Sequence, residues 1–175
     1  AKSAEAFVAR YIQDHGDWPR AIAMSAWGTS NMRTGGDDLA QALALMGAKP
    51  VWDSASRRVT GVDVIPLAVL GRPRVDVTLR ISGFFRDAFP AQIALIDTAV
   101  RLLADHNEPD AENPIRAAIA ADRDTYISSG LAPDTAQRRA SFRIFGSKPG
   151  AYGAGLQAMF DEKLWDSEAD LAEAF

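Results

Sequence analysis

Apolar positions along this chain recur at two different periods, and the switches between them divide it into elements. Ala4, Phe7, Val8, Tyr11 and Ile12 fall at i, i+3, i+4, i+7 and i+8, the stripe of one helix face, and the pattern stops at His15-Gly16. Residues 21–26 form an apolar run of strand length. The stretch 27–33 reads as a loop, after which Thr34 is placed to cap a helix, with Asp37 three residues on as its capping-box partner. That helix turns Leu39, Ala42, Leu43 and Met46 inward and stops at Gly47.

Extended character returns at 51–53 and 62–65, on either side of a polar turn at 54–58, so these two runs are expected to pair as a hairpin. The best strand is 74–81, which is β-branched and alternating, is preceded by Gly71 and Pro73, and ends at Ser82-Gly83. The strongest helical period follows, with Phe89, Ile93, Ile96, Val100 and Leu103 on one stripe, Asp87 as the expected cap and Pro90 in the first turn. It ends near His106-Asn107, and residues 108–112 read as a polar, variable loop. Asn113-Pro114 then opens a helix running to about 129–130. A last strand at 141–145 leads into a stretch with Gly146, Gly150, Gly153 and Gly155 and a helical tail.

Strands alternating with helices predict a single α/β layered domain over 1–175, with a mostly parallel sheet flanked by helices and one antiparallel hairpin. The strand at 75–81 is expected at its centre, covered on one face by the helix carrying Ile93, Ile96 and Val100.

Composition narrows the classes of function. With 175 residues, 47% of them apolar and 24% charged, the chain is an ordinary globular sequence able to bury one core. A net charge of -4 and a pI near 5.2 argue against nucleic-acid binding, and Arg138-Arg139 is too short a basic run to reverse that. Cysteine is absent, which removes disulfides, thiolate metal ligands and a cysteine nucleophile. Apolar stretches break well short of the ~20 residues a bilayer span needs. The first residues carry neither an initiator Met nor a signal peptide, so the chain reads as a piece of a longer protein, with the cytoplasm as default location.

Generic catalytic motifs do not fit. Lys148 precedes the glycines that a P-loop lysine follows, and the order G-x-G-x-x-G is missing. Gly35-Gly36 opens a helix, but Asp37 and Asp38 occupy the turn where a phosphate would sit and would repel it. His15 and His106 each fall at a predicted helix end, without a second ligand at i+3 or i+4. Ser82 follows a strand as a nucleophile would, but without G-x-S-x-G. Among the tryptophans, Trp18 and Trp165 sit in loop or helix-end positions, Trp52 reads as a strand-packing residue, and Trp27 follows a strand directly.

A longer pattern does carry information. Trp27-Gly28-Thr29-Ser30-Asn31-Met32-Arg33-Thr34-Gly35-Gly36 resembles the W-G-T-x-N-x-x-T-G-G stretch of the family that unites cobaltochelatase large subunits with magnesium chelatase H subunits. The resemblance continues through residues 41–48, 65–67, 70–77, 82–87 and 150–154, and so covers most of 20–160. Residues 77–90 and 142–150 are more similar to the cobalt branch.

That resemblance implies a fragment of a far longer tetrapyrrole-binding subunit, in which cobalt is inserted into a corrin precursor, hydrogenobyrinic acid a,c-diamide, on the way to cobalamin. It implies as partners a AAA+ ATPase subunit and a subunit with a von Willebrand A domain, with ATP and Mg bound there and no cofactor on this segment. The fragment alone is then expected to be inactive. Insertion needs a base for ring N–H protons and ligands that let the metal shed water, and this segment shows no cluster for either task.

Its expected contribution is a wall of the macrocycle site, built at the carboxyl ends of the strands. The candidate substrate-binding residues are Trp27, Thr29, Ser82, Arg86 and Tyr152. Trp27 is suited to stacking on a conjugated face. Arg86 has two uses open to it: a charge-assisted fork to a carboxylate on the macrocycle rim, or a pair with Asp87 that fixes the loop. The rival reading is a structural or subunit-docking domain of a magnesium chelatase H-type subunit that never touches substrate.

Overall fold

A computed structural model describes residues 2–152 and 156–174. Helix α1 (Lys2–His15) buries Ala4 and Val8 and is ended by Gly16 at φ +74°. Strand β1 (Ala21–Ala26) runs straight into α2 (Gly28–Thr34), where a loop was expected. No polar side chain caps α2, which is why its start is invisible in sequence; packing of Gly28 and Asn31, both buried, holds it instead.

Helix α3 (Asp37–Met46) begins at Gly36, and Thr34 is the last residue of α2, not its cap. The threonine still contributes, since its Oγ1 accepts from the Asp37 N–H at 3.3 Å. Leu39, Ala42, Leu43 and Met46 are buried as expected, and Gly47 adopts φ +79° to end the helix.

β2 (Ala48–Trp52) and β3 (Val59–Val64) pair antiparallel, with Ala48 opposite Val64, so the hairpin exists with boundaries shifted toward the chain start. Trp52 does not pack; it is 62% exposed. A one-turn helix α4 (Leu67–Leu70) leads to β4 (Asp76–Ile81). Next come α5 (Gly83–Ala88) and α6 (Pro90–Asp105). Asp87 lies inside α5 and cannot cap α6, which starts after Phe89 with Pro90 in its first turn.

Helix α7 (Pro114–Ser128) is capped as its sequence predicts, the Asn113 side chain accepting from the Arg116 N–H. An unforeseen α8 (Pro133–Ala140) follows, and because Ser141 caps its end, β5 (Ile144–Gly146) is shorter and later than expected. α9 (Gln157–Glu162) and α10 (Glu168–Ala174) form the tail; Gly153 and Gly155 lie outside the described residues.

β1, β4 and β5 make one parallel sheet with β4 in the middle, and the hairpin is a separate two-stranded sheet. Val77, Leu79 and Ile81 of β4 join Leu43, Met46, Ile96, Val100 and Leu103 in one buried cluster, so the stripe of α6 reaches the core of β4, but the helix itself lies chiefly against β3 and α7, and α3 stands nearer β4 than the sequence suggests. Val62 and Val64 bring the hairpin against the same core.

At the amino end of β4 the interior holds charge. Arg74 is fully buried; its Nε and Nη2 donate to Glu108 at 2.6 and 2.7 Å, and its remaining N–H groups reach the carbonyls of Met46, Gly47 and Ile65. The end of α3, the exit of the hairpin and the α6–α7 connection thus share one guanidinium. The 108–112 segment is therefore no freely variable loop. A second pair, Arg143 with Asp76 at 2.7 Å, fixes the approach to β5 against β4.

Candidate functional site

Register places the three carboxyl ends of the parallel strands side by side: Ala26 stands opposite Ile81, and Ile81 opposite Gly146. The residues that follow each strand, Trp27, Ser82 and Ser147, therefore share one edge. In open α/β sheets that edge is where ligands settle.

Ser82 is buried at the middle of it. Its Oγ accepts from the Phe85 N–H at 3.2 Å, as the cap of α5, and from the Gly28 N–H at 3.3 Å, across the gap between β1 and β4. The hydroxyl ties two chain turns together, and its burial leaves little of it exposed to a ligand. Trp27 is 44% exposed beside it, and Thr29, the second residue of α2, is exposed too.

Arg86 points along the edge toward the chain leaving β5. Its Nε and Nη2 donate to both oxygens of Asp87 at 2.7 and 2.9 Å, and its Nη1 donates to the carbonyls of Ser147 and Lys148, both at 2.8 Å. The hydrogen bond from Arg86 holds the Asp87 carboxyl below the usual carboxylate range, and the same pair raises the guanidinium from its ordinary value. Tyr152, 60% exposed, lies with its ring centroid 6.0 Å from the Arg86 guanidinium carbon. Of the predicted residues, Arg86 and Tyr152 are thus brought into contact, and Ser82 joins them to the Trp27 side of an open edge.

Three contributors went unrecognised in the sequence. Gly83 lies so close to Ala151 that a Cβ would collide with its carbonyl oxygen. Phe84, exposed beside Gly28, packs edge-on to Phe89 at 6.3 Å. Asn31 is buried; its Nδ2 donates to Gln92 Oε1 at 2.6 Å, and its Oδ1 has no partner among the described residues. Ser82, a capping residue directly after a strand and three positions before Phe85, had the form of a helix start, and that signal would have located α5.

A cavity of about 540 Å³ lies at the opposite end of β4, lined by Trp18, Arg20, Arg72, Arg74 and Glu112 among others. It is a weaker candidate, because Arg72 is engaged by the carbonyls of Ala44, Leu45 and Pro73 and Arg74 by Glu108. Among the described residues no group of three or more His, Asp or Glu is placed to hold a metal, and no helix is long and apolar enough to cross a membrane.

Comparison with known proteins places this geometry in context. The family profile described as CobN/Magnesium Chelatase matches residues 1–175. Over 174 residues the chain is 63% identical to the aerobic cobaltochelatase subunit CobN of a Sinorhizobium species, and it is 40% identical to the H subunit of the magnesium chelatase of Rhodobacter capsulatus. In both cases 99% of this chain is aligned, and it spans 14% of the relative. Its structure is similar to that of the catalytic subunit of cobaltochelatase from Mycobacterium tuberculosis, with a TM-score of 0.86 at 53% identity, covering 98% of this chain and 14% of that one.

Proposed function

We propose, from the premise that this chain belongs to the CobN/Magnesium Chelatase family, that it forms one wall of the tetrapyrrole site in the large subunit of an ATP-driven cobaltochelatase. Identity favours cobalt over magnesium as the inserted metal, at 63% against 40% for the two kinds of relative. The macrocycle is a corrin precursor, hydrogenobyrinic acid a,c-diamide, and the reaction takes place in the cytoplasm. ATP hydrolysis, with its Mg, resides on a AAA+ partner, and a subunit with a von Willebrand A domain completes the complex.

The observation that carries this reading is the alignment of three parallel strand ends with exposed aromatics, Trp27 and Tyr152, on the edge they form. A conjugated macrocycle offers such side chains a flat face to stack on, and the metal enters as substrate. Proton removal from the ring and stepwise dehydration of cobalt fall to groups elsewhere in the subunit.

The test is Trp27→Ala and Tyr152→Ala in the full-length large subunit. Affinity for the corrin precursor should weaken by roughly 1 to 2 kcal/mol per substitution, the scale of lost aromatic stacking and burial, at an unchanged melting temperature. Unchanged affinity in both variants would refute the reading. The openness of the edge favours a second one, docking of another subunit, and retained corrin affinity with lost binding of the ATPase subunit would establish it.

A further inference from the structure

Arg86 was expected either to meet the substrate rim or to pair with Asp87, and its geometry goes further than either. Both oxygens of Asp87 take its Nε and Nη2, while Nη1 faces the carbonyls of Ser147 and Lys148 at 2.8 Å and of Ala151 at 3.4 Å. Its side chain is 18% exposed. A planar fork engaged on one side by a carboxylate and on the other by converging carbonyls has little left to offer a ligand.

Among the described residues, the segment it faces has few bonds of its own. Pro149 has no N–H to donate, and Gly150 turns the chain at φ +87°. Closure within the loop rests on Ala151 N–H to Lys148 O at 3.0 Å and on Ser147 Oγ with Ala151 O at 3.2 Å. Bonds this few, on a surface segment, open at low free energy unless another group holds them. At Gly83, the lack of a side chain lets the Ala151 carbonyl settle on the start of α5, and Tyr152 follows directly.

We propose that Arg86 is a positioning residue, a guanidinium clasp that draws residues 147–152 onto α5 and so sets Tyr152 at the carboxyl edge of the sheet. Its consequence for substrate rests on the tetrapyrrole reading of that edge; the clasp itself does not. Asp87 orients the fork, and the carbonyls of three loop residues receive it. A lysine cannot replace it, because a single ammonium on a flexible stem cannot serve the carboxylate and the carbonyls together.

The experiment compares Arg86→Gln, Arg86→Lys, Tyr152→Ala and the Arg86→Gln/Tyr152→Ala double variant, each in the full-length large chain. Amide hydrogen exchange at 147–152 is read against that of β4, and affinity is measured with hydrogenobyrinic acid a,c-diamide. Both Arg86 variants should raise loop exchange at least tenfold and leave β4 protected. Affinity should fall by the same factor in Arg86→Gln as in Tyr152→Ala, with no further loss in the double variant. Unchanged loop exchange would overturn the clasp, as would a double variant whose loss is the product of the two single losses, since Arg86 would then meet the ligand independently. Faster loop exchange with unaltered affinity in every variant would uphold the clasp while removing the tetrapyrrole reading. Should Arg86→Gln fail to fold, Asp87→Asn loosens the same fork without removing its charge, and a smaller rise in loop exchange is expected.

Discussion

Arg74 carries its charge with none of its surface exposed, and Glu108 is what makes that tolerable. Truncating Glu108 to alanine would strand a buried cation, so urea denaturation should show a loss of about 3 to 5 kcal/mol. A loss below about 1 kcal/mol would mean that the carbonyls of Met46, Gly47 and Ile65 suffice. The pair also sets an acid limit. Hydrogen bonding to Arg74 lowers the Glu108 carboxyl from its ordinary value of 4.5. A depressed folded value means the contribution is fully present above pH 4.5 and is lost as pH falls through the lower value. Stability measured across that window should fall steeply in the native chain and less so in Glu108→Gln. Neither half of this pair was legible: Arg74 read only as the start of the best strand, which in the structure begins at Asp76, and a partner 34 positions away leaves no local periodicity. Arg86 was legible in part, since its partner Asp87 is its neighbour in sequence but its loop carbonyls lie far along the chain.

Among the elements, α3 and α6 were readable because each repeats its apolar stripe for ten residues or more, and α7 because Asn113-Pro114 marks its start. The short helices α2 and α5, of seven and six residues, were not. Neither is long enough to be stable alone, and both exist because a strand end and neighbouring segments of the same chain hold them. Gly28 and Gly83 mark the two contacts. A Cβ on Gly83 would collide with backbone, the Ala151 carbonyl and the Tyr152 Cα, whereas one on Gly28 would collide first with the Phe84 ring, a side chain, and only graze the Phe85 backbone N at 3.0 Å. Gly83→Ala should therefore cost about 1 to 3 kcal/mol, the usual penalty of overpacking, and more than Gly28→Ala in the same thermal or urea measurement. Equal tolerance of both would show that residues 151–152 are free to retreat from α5. The aromatic edge was legible in part: Trp27, Arg86 and Tyr152 were singled out from sequence, but that Ser82 acts as a buried tie required the strands to be seen side by side.

For the molecule as a whole, the mostly parallel sheet and the central place of β4 followed from sequence, whereas the order β1-β4-β5 did not, because nothing local encodes which strands become neighbours; α6, expected to cover β4, lies chiefly against β3 and α7 instead. Ile96 sits where these layers meet, fully buried, and Ile96→Ala should destabilise the fold by about 2 to 5 kcal/mol in equilibrium unfolding; a loss under about 1 kcal/mol would place the true core elsewhere. That strand order also bears on how the protein is made. Parallel neighbours cannot be joined by a tight turn, so β1 must wait for β4, and β4 for β5, while the intervening helices are still being added. The hairpin of β2 and β3 and the stripe of α3 can form early, from contacts close in sequence. On a ribosome, the sheet stays unfinished until residue 146 has cleared the exit tunnel, and until then the apolar face of β4 is a surface for a chaperone to shield.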